Sequence, residues 1–127
     1  MQNFRELIVF RKSYGLVLSL YRLTKSFPDE ERFGMTSQIR RAAHSIPANI
    51  AEGCGRGEAG DLARFLRIAA GSASELELHL ELARDLHYLQ LDDYKVAGSA
   101  VLEIKRMLHS LIERVDATRE KGRGASA

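Results

Sequence analysis

Arg41, Ser45, Asn49, Glu52 and Arg56 recur at steps of four, four, three and four residues, so a helix through this stretch carries them on one side. Guanidinium, hydroxyl, amide and carboxylate groups in one row suit three kinds of chemistry. They can form a polar network that fixes helix packing. They can hold a ligand or a phosphate backbone. With Glu52 or Glu75 carrying the proton, they can perform general acid–base catalysis. Ser72, Glu75 and His79, with Arg64 upstream, lie on a second helical pattern that can supply partners to the first. The network is the favoured reading, because catalysis also demands a pocket that spacing alone does not create.

Other chemical signatures are weaker. Gly55, Gly57 and Gly60 spell the glycine pattern of dinucleotide-binding loops, but that loop follows a strand and here a helical pattern precedes it. These glycines are expected to be a turn between helices. Di-iron bundles place a His three residues after a Glu, and no Glu in this chain has one. His44, His79, His87 and His109 lack metal-ligand spacing, so neither metal nor cofactor is expected. Cys54 reads as a small packed residue near a turn, and as the single cysteine it fits a reducing cytoplasm.

The elements that must position these residues are helical. Leu7, Phe10, Tyr14, Val17 and Tyr21 predict one face of a first helix over 5–27, ended by Pro28. Residues 28–35 are a polar connector, and Thr36 is the expected N-cap of a second helix over 37–53. Its apolar stripe is Ile39, Ala42, Ala43, Ile46, Ile50 and Gly53. Pro47 removes a backbone donor from this helix and leaves the Ala43 carbonyl without its usual partner, which predicts a kink. Ser45, Asn49 or a side chain from the third helix can satisfy the freed group.

A third helix is predicted over 58–88, with Leu62, Leu66, Ala69, Ala73, Leu76, Leu80 and Ala83 facing the core. Residues 75–82 alternate as a strand would, but they lie inside a long Ala-, Leu- and Glu-rich helical pattern, and helix wins. Asp92 is the expected cap of a fourth helix over 93–119, with Tyr94, Ala97, Val101, Ile104, Leu108, Leu111 and Val115 inward. The fold class is therefore all-α: an up-down-up-down antiparallel four-helix bundle with a kinked second helix. Residues 1–120 form one domain, and 121–127 form a disordered tail without an apolar anchor.

At 127 residues with 45% apolar and 28% charged residues, the chain suits one globular domain, and no apolar run is long enough for a membrane span. The net charge of +2 does not by itself argue for nucleic acid. Its distribution is uneven: residues 1–67 carry 11 Lys/Arg against 7 Asp/Glu, and residues 68–127 carry 8 against 10. The bundle topology gathers Arg11, Lys12, Arg56, Arg64, Arg67, Arg114 and Arg119 toward one end, as candidate nucleic-acid contacts. The other end is richer in acids. Leu78 and Leu82, with Gly71, fall on the outer side of the third helix and are the candidate oligomer interface.

Several stretches carry a family resemblance. They include Phe27-Pro28, Glu31 with Phe33-Gly34, Thr36-Ser37-Gln38, Arg40–Ala43, the run from Ser45 to Gly53 (SIPANIAEG) followed by Arg56, Arg64-Phe65-Leu66, and Gly71-Ser72 with Glu75. Over about residues 4–115 the chain resembles the four-helix-bundle family of proteins encoded in intervening sequences of bacterial large-subunit rRNA genes. The resemblance implies a cytoplasmic homopentameric ring. Similar proteins include the accessory subunit of diversity-generating retroelements, which binds a reverse transcriptase and nucleic acid through basic surfaces. This chain is less basic than that relative. The resemblance supplies no catalytic residues.

The resulting expectation is a non-enzymatic homo-oligomer, a pentamer, that acts as a binding or assembly module for RNA, DNA or a nucleoprotein partner such as a reverse transcriptase. The alternatives are a protein-interaction module with no nucleic-acid binding, and a small-molecule site around Asn49, Glu52 and Glu75.

Overall fold

In a computed structural model, which describes residues 3–126 and side chains as far as residue 122, the chain forms four α-helices and two single turns of 3-10 helix. The α-helices are α1 (Ile8–Thr24), α2 (Met35–Gly55), α3 (Ala59–Asp85) and α4 (Leu91–Ser126). The short turns cover Phe4–Glu6 and Asp29–Glu31. No strand occurs among the described residues, and residues 75–82 are helical. Contacts join α1 to α2, α2 to α3, α3 to α4 and α4 back to α1, the contact pattern of a helix bundle. Leu20, Ile39, Ile46, Ile50, Leu66, Leu76, Leu80, Val101, Ile104 and Leu108 are sealed from solvent at the centre. Each such side chain contributes about 1.5–3 kcal/mol of burial. None of these helices is long and apolar enough to cross a membrane.

The inward faces of α2 and α3 match the sequence pattern, but the first helix is rotated. Its buried residues are Val9, Ser13, Leu16, Leu20 and Thr24, while Tyr14 and Tyr21 are exposed. Two hydroxyls hide this face from a reading based on hydrophobicity. Ser13 Oγ donates to the Phe10 carbonyl at 2.9 Å, and Thr24 Oγ1 donates to the Leu20 carbonyl at 2.7 Å, so neither is buried unpaired. The helix also starts later than expected, because Leu7 is extended at φ −73° and ψ 128°.

Helix ends depart from the simple capping signals. Thr36 is not the N-cap of α2: Gly34 is, and Thr36 is buried inside the first turn. The free amide of Met35 instead donates to Glu31 Oε1 at 3.1 Å, so a carboxylate sits at the positive end of the helix. A Cβ on Gly34 would lie 2.5 Å from that same oxygen, so glycine here makes room for the cap. Glu31 Oε2 accepts from the Tyr88 hydroxyl at 2.9 Å and ties the connector to the α3–α4 turn.

Only Arg56, Gly57 and Glu58 are non-helical between α2 and α3, so the break is shorter than the row of glycines implies. Gly57, at φ +84°, is the one that needs glycine's backbone freedom. Helix α3 stops at Asp85 rather than 88, in a turn where the Tyr88 and Leu89 amides both reach the Ala83 carbonyl. Asp92 is not a cap. It lies with Asp93 in the first turn of α4, where acidic groups favour the helix dipole. Helix α4 runs on to Ser126, through residues 121–126 where composition predicts a disordered tail, because extending an existing helix avoids the cost of nucleating a new one. The side chains of 123–127 lie outside the described residues.

Candidate functional site

The polar row on α2 splits into separate local groups. Ser45 and Ser72 share a hydrogen bond of 2.7 Å between α2 and α3. The Asn49 amide donates to the Ser45 carbonyl at 2.7 Å and to Ser45 Oγ at 2.9 Å. That amide serves Ser45 and not Ala43, the carbonyl whose partner Pro47 removes, while α2 stays helical through Pro47. Arg41 donates to Gln38 at 3.1 Å, Glu52 reaches Arg56 at 3.6 Å, and Glu75 meets His79 at 3.3 Å. The seam is therefore a Ser45–Asn49–Ser72 cluster, flanked by pairs that stay on their own helices.

Close approach makes this seam possible. A Cβ on Gly53 would lie 2.9 Å from Phe65 Cβ and 3.3 Å from Leu62 Cα, so only glycine lets α2 and α3 meet there. The ring of Phe65 then receives two guanidinium groups, Arg64 at 4.4 Å and Arg56 at 5.2 Å.

The arginines expected to form a basic end fall into two sets. Arg64 pairs with Asp61 at 3.7 Å, Arg67 and Arg119 converge on Asp116, and Lys12 pairs with Glu103 at 2.8 Å. Arg56 has Glu52. Arg11 and Arg114 are exposed and form no ion pair among the described residues. Arg114 instead lines a groove of about 500 Å³ between α1 and α4, together with Arg106 and Ser110. Exposed pairs of this kind add only about 0–1 kcal/mol, but each carboxylate cancels charge that a phosphate would need.

Leu78 and Leu82 are exposed, at 53% and 41%, and Gly71 is open. Ile68 and Leu86 extend the same stripe at helical spacing, and Leu102 on α4 is exposed too.

A second arginine-rich region was not singled out by the sequence. Tyr21, Arg32, Phe33, Arg40, Arg41 and His44 line a groove of about 520 Å³ where α1 meets the start of α2. Phe33 is 85% exposed, with the Arg32 guanidinium 5.0 Å from its ring centre. The Arg40 guanidinium lies 4.4 Å from the Tyr21 ring and donates to Thr24 Oγ1 at 2.9 Å and to the Tyr21 carbonyl at 3.2 Å. No carboxylate lines this groove. The signal for it in the sequence is Arg32-Phe33 beside Arg40-Arg41, but only the rotation of α1 brings Tyr21 alongside.

Fold and surface together define a small all-helical bundle protein whose marked surface features are an apolar stripe and arginine clusters. Residues 5–110 match the 23S rRNA-intervening sequence protein family, and the chain belongs to that family. It is similar to a crystal structure of a protein of unknown function from the S23 ribosomal protein family of Bacteroides thetaiotaomicron. The two share 32% identity over 83% of this chain and 98% of that one, with a TM-score of 0.77. No curated protein matches the chain.

Proposed function

We propose that this protein is a non-enzymatic, cytoplasmic homo-oligomeric module that assembles through the outer face of α3 and contacts nucleic acid or a nucleoprotein partner. The observation that carries the assembly is the exposed stripe Ile68, Gly71, Leu78, Leu82 and Leu86. Large apolar side chains repeated along one helix face mark an interface rather than scattered exposure. The count of five rests on the family resemblance. Association with an rRNA gene in the family's description, and unpaired arginines on the surface, support a nucleic-acid setting. Repeating those arginines around a ring would let weak phosphate contacts act together.

The same reading takes the helices as an up-down-up-down antiparallel bundle with a bend at Pro47. Cross-helix pairs run in opposite order along each neighbour: Ser45 with Ser72 but Gly53 with Phe65, and Arg67 with Asp116 but Glu77 with Lys105. Native mass measurement tests the assembly directly. The wild type is expected as a pentamer, and Leu78→Glu with Leu82→Glu as smaller species. An unchanged mass in the double variant removes α3 from the interface.

The second reading, a protein-interaction module without nucleic acid, draws on the ion pairing of Lys12, Arg56, Arg64, Arg67 and Arg119. It predicts no binding of RNA or DNA even at low salt. The small-molecule reading is weaker, because Asn49, Glu52 and Glu75 each engage a different local partner.

A further inference from the structure

We infer that the groove between the end of α1 and the start of α2 binds single-stranded nucleic acid, with Phe33 stacking a base and Arg32 and Arg41 holding phosphates. This deepens the proposed function and rests on its nucleic-acid reading. The first observation is charge. Arg32, Arg40 and Arg41 share one groove of about 520 Å³, with His44 beside them and no carboxylate in its lining. None of the three arginines takes part in an ion pair among the described residues. Arg40 is committed to Thr24 and Tyr21, so it sets the floor, while Arg32 and Arg41 keep donors for an anion.

The second observation is the aromatic surface. Phe33 is 85% exposed and Tyr21 is 41% exposed, and both rings line the groove that holds the arginines. The connector is held in place by Glu31, whose carboxylate grips Met35 and Tyr88 on either side of the bundle end. Phe33 is therefore presented from an anchored turn. An exposed ring beside free guanidinium groups is the arrangement that stacks bases and tracks a phosphate chain. A duplex keeps its base faces inside the stack, so a single strand is the matching ligand. An acidic peptide would use the arginines but leave the Phe33 ring without a flat partner.

Fluorescence anisotropy with labelled uridine-rich RNA, its DNA counterpart and a duplex of the same length, over a salt series, tests this. Both single strands are expected to bind more tightly than the duplex. Phe33→Ala is expected to weaken single-strand binding about tenfold, and Phe33→Trp to retain it. Arg41→Ala is expected to reduce the slope of log affinity against log salt by about 0.7, one phosphate's share. Circular dichroism confirms that these surface variants fold. If the wild type binds but Phe33→Ala and Arg41→Ala bind equally well, the groove assignment is wrong and the module reading stands. Preference for duplex, equal binding of an acidic peptide, or a changed assembly mass in Phe33→Ala also overturns it. Absence of all nucleic-acid binding at low salt overturns both the groove assignment and the nucleic-acid reading on which it rests.

Discussion

Two arginine-rich regions of this molecule have similar composition and different electrostatics. Around Phe65, Arg56 and Arg64 lie over an aromatic ring, with Arg67 and Arg119 nearby on Asp116, and each of the four has a carboxylate partner. Around Phe33, Arg32 and Arg40 also lie over aromatic rings, yet no carboxylate lines that groove. The first region was the expected basic surface, and the second lies toward the end expected to be acidic. The acids there have other tasks: Glu31 caps α2 and binds Tyr88, while Asp92 and Asp93 sit at the start of α4. Counting arginines toward one end of a bundle does not measure free positive charge. What counts is whether a carboxylate shares the same few ångströms.

The harshest way to break the comparison is to separate the helices that create the Phe65 region. Gly53→Ala forces a Cβ into Phe65 and Leu62, and is expected to cost about 1–3 kcal/mol, read as a lower urea midpoint. Unchanged stability would mean that α2 and α3 adjust freely and that Arg56 and Arg64 are not held over one ring. A sharper test is Asp116→Asn, which releases both Arg67 and Arg119. It is expected to raise nucleic-acid affinity about fivefold at low salt and little at high salt. No gain at low salt would show that ion pairing is not what neutralises this end.

The Phe33 region depends on the Glu31 anchor, and that anchor has a pH signature. The Glu31 carboxylate, accepting from the Tyr88 hydroxyl, raises that tyrosine's pKa above the usual 10.0. The folded state thus holds this proton more tightly. The contribution to stability is present below about pH 10 and is lost as pH rises through the folded value. Tyr88 is expected to titrate late by ultraviolet absorbance, and Glu31→Gln is expected to lower its midpoint. If the midpoint stays put, the Glu31–Tyr88 contact does not anchor the connector. The smallest effect is expected from Arg64→Ala, a change in stability below about 0.5 kcal/mol, because its partner Asp61 is solvent-screened. A larger loss would mean that the stacking on Phe65 carries weight of its own.

Much of the fold was legible because its signals are local and periodic. The stripes on α2 and α3 are apolar at helical spacing, and the buried residues follow them closely. The pairs Glu52–Arg56, Asp61–Arg64 and Asp116–Arg119 are also readable, since residues three or four apart on a helix are neighbours. Helical spacing alone therefore lowers the free positive charge to be expected around Phe65. The α1 face was misread because Ser13 and Thr24 are buried there, and their hydroxyls find backbone acceptors that polarity alone does not reveal. Of the groups that could reach the freed Ala43 carbonyl, the Asn49 amide turns to Ser45 instead, because side-chain reach within a proline-containing turn is set by geometry of a few ångströms.

The sequence by itself determined that this is an all-helical protein, where α2 and α3 lie, which of their faces are buried, and which family it belongs to. Those properties follow from helical periodicity, turn residues and a specific run from Ser45 to Gly53, all encoded within short distances along the chain. Tertiary structure alone decided that Arg67 meets Asp116, that Ser45 meets Ser72, that Glu31 reaches Tyr88, and that Tyr21 turns outward beside Arg40. These contacts join residues far apart in the chain. Their partners are chosen by how helices rotate and approach when the core fills, and no local pattern records that choice.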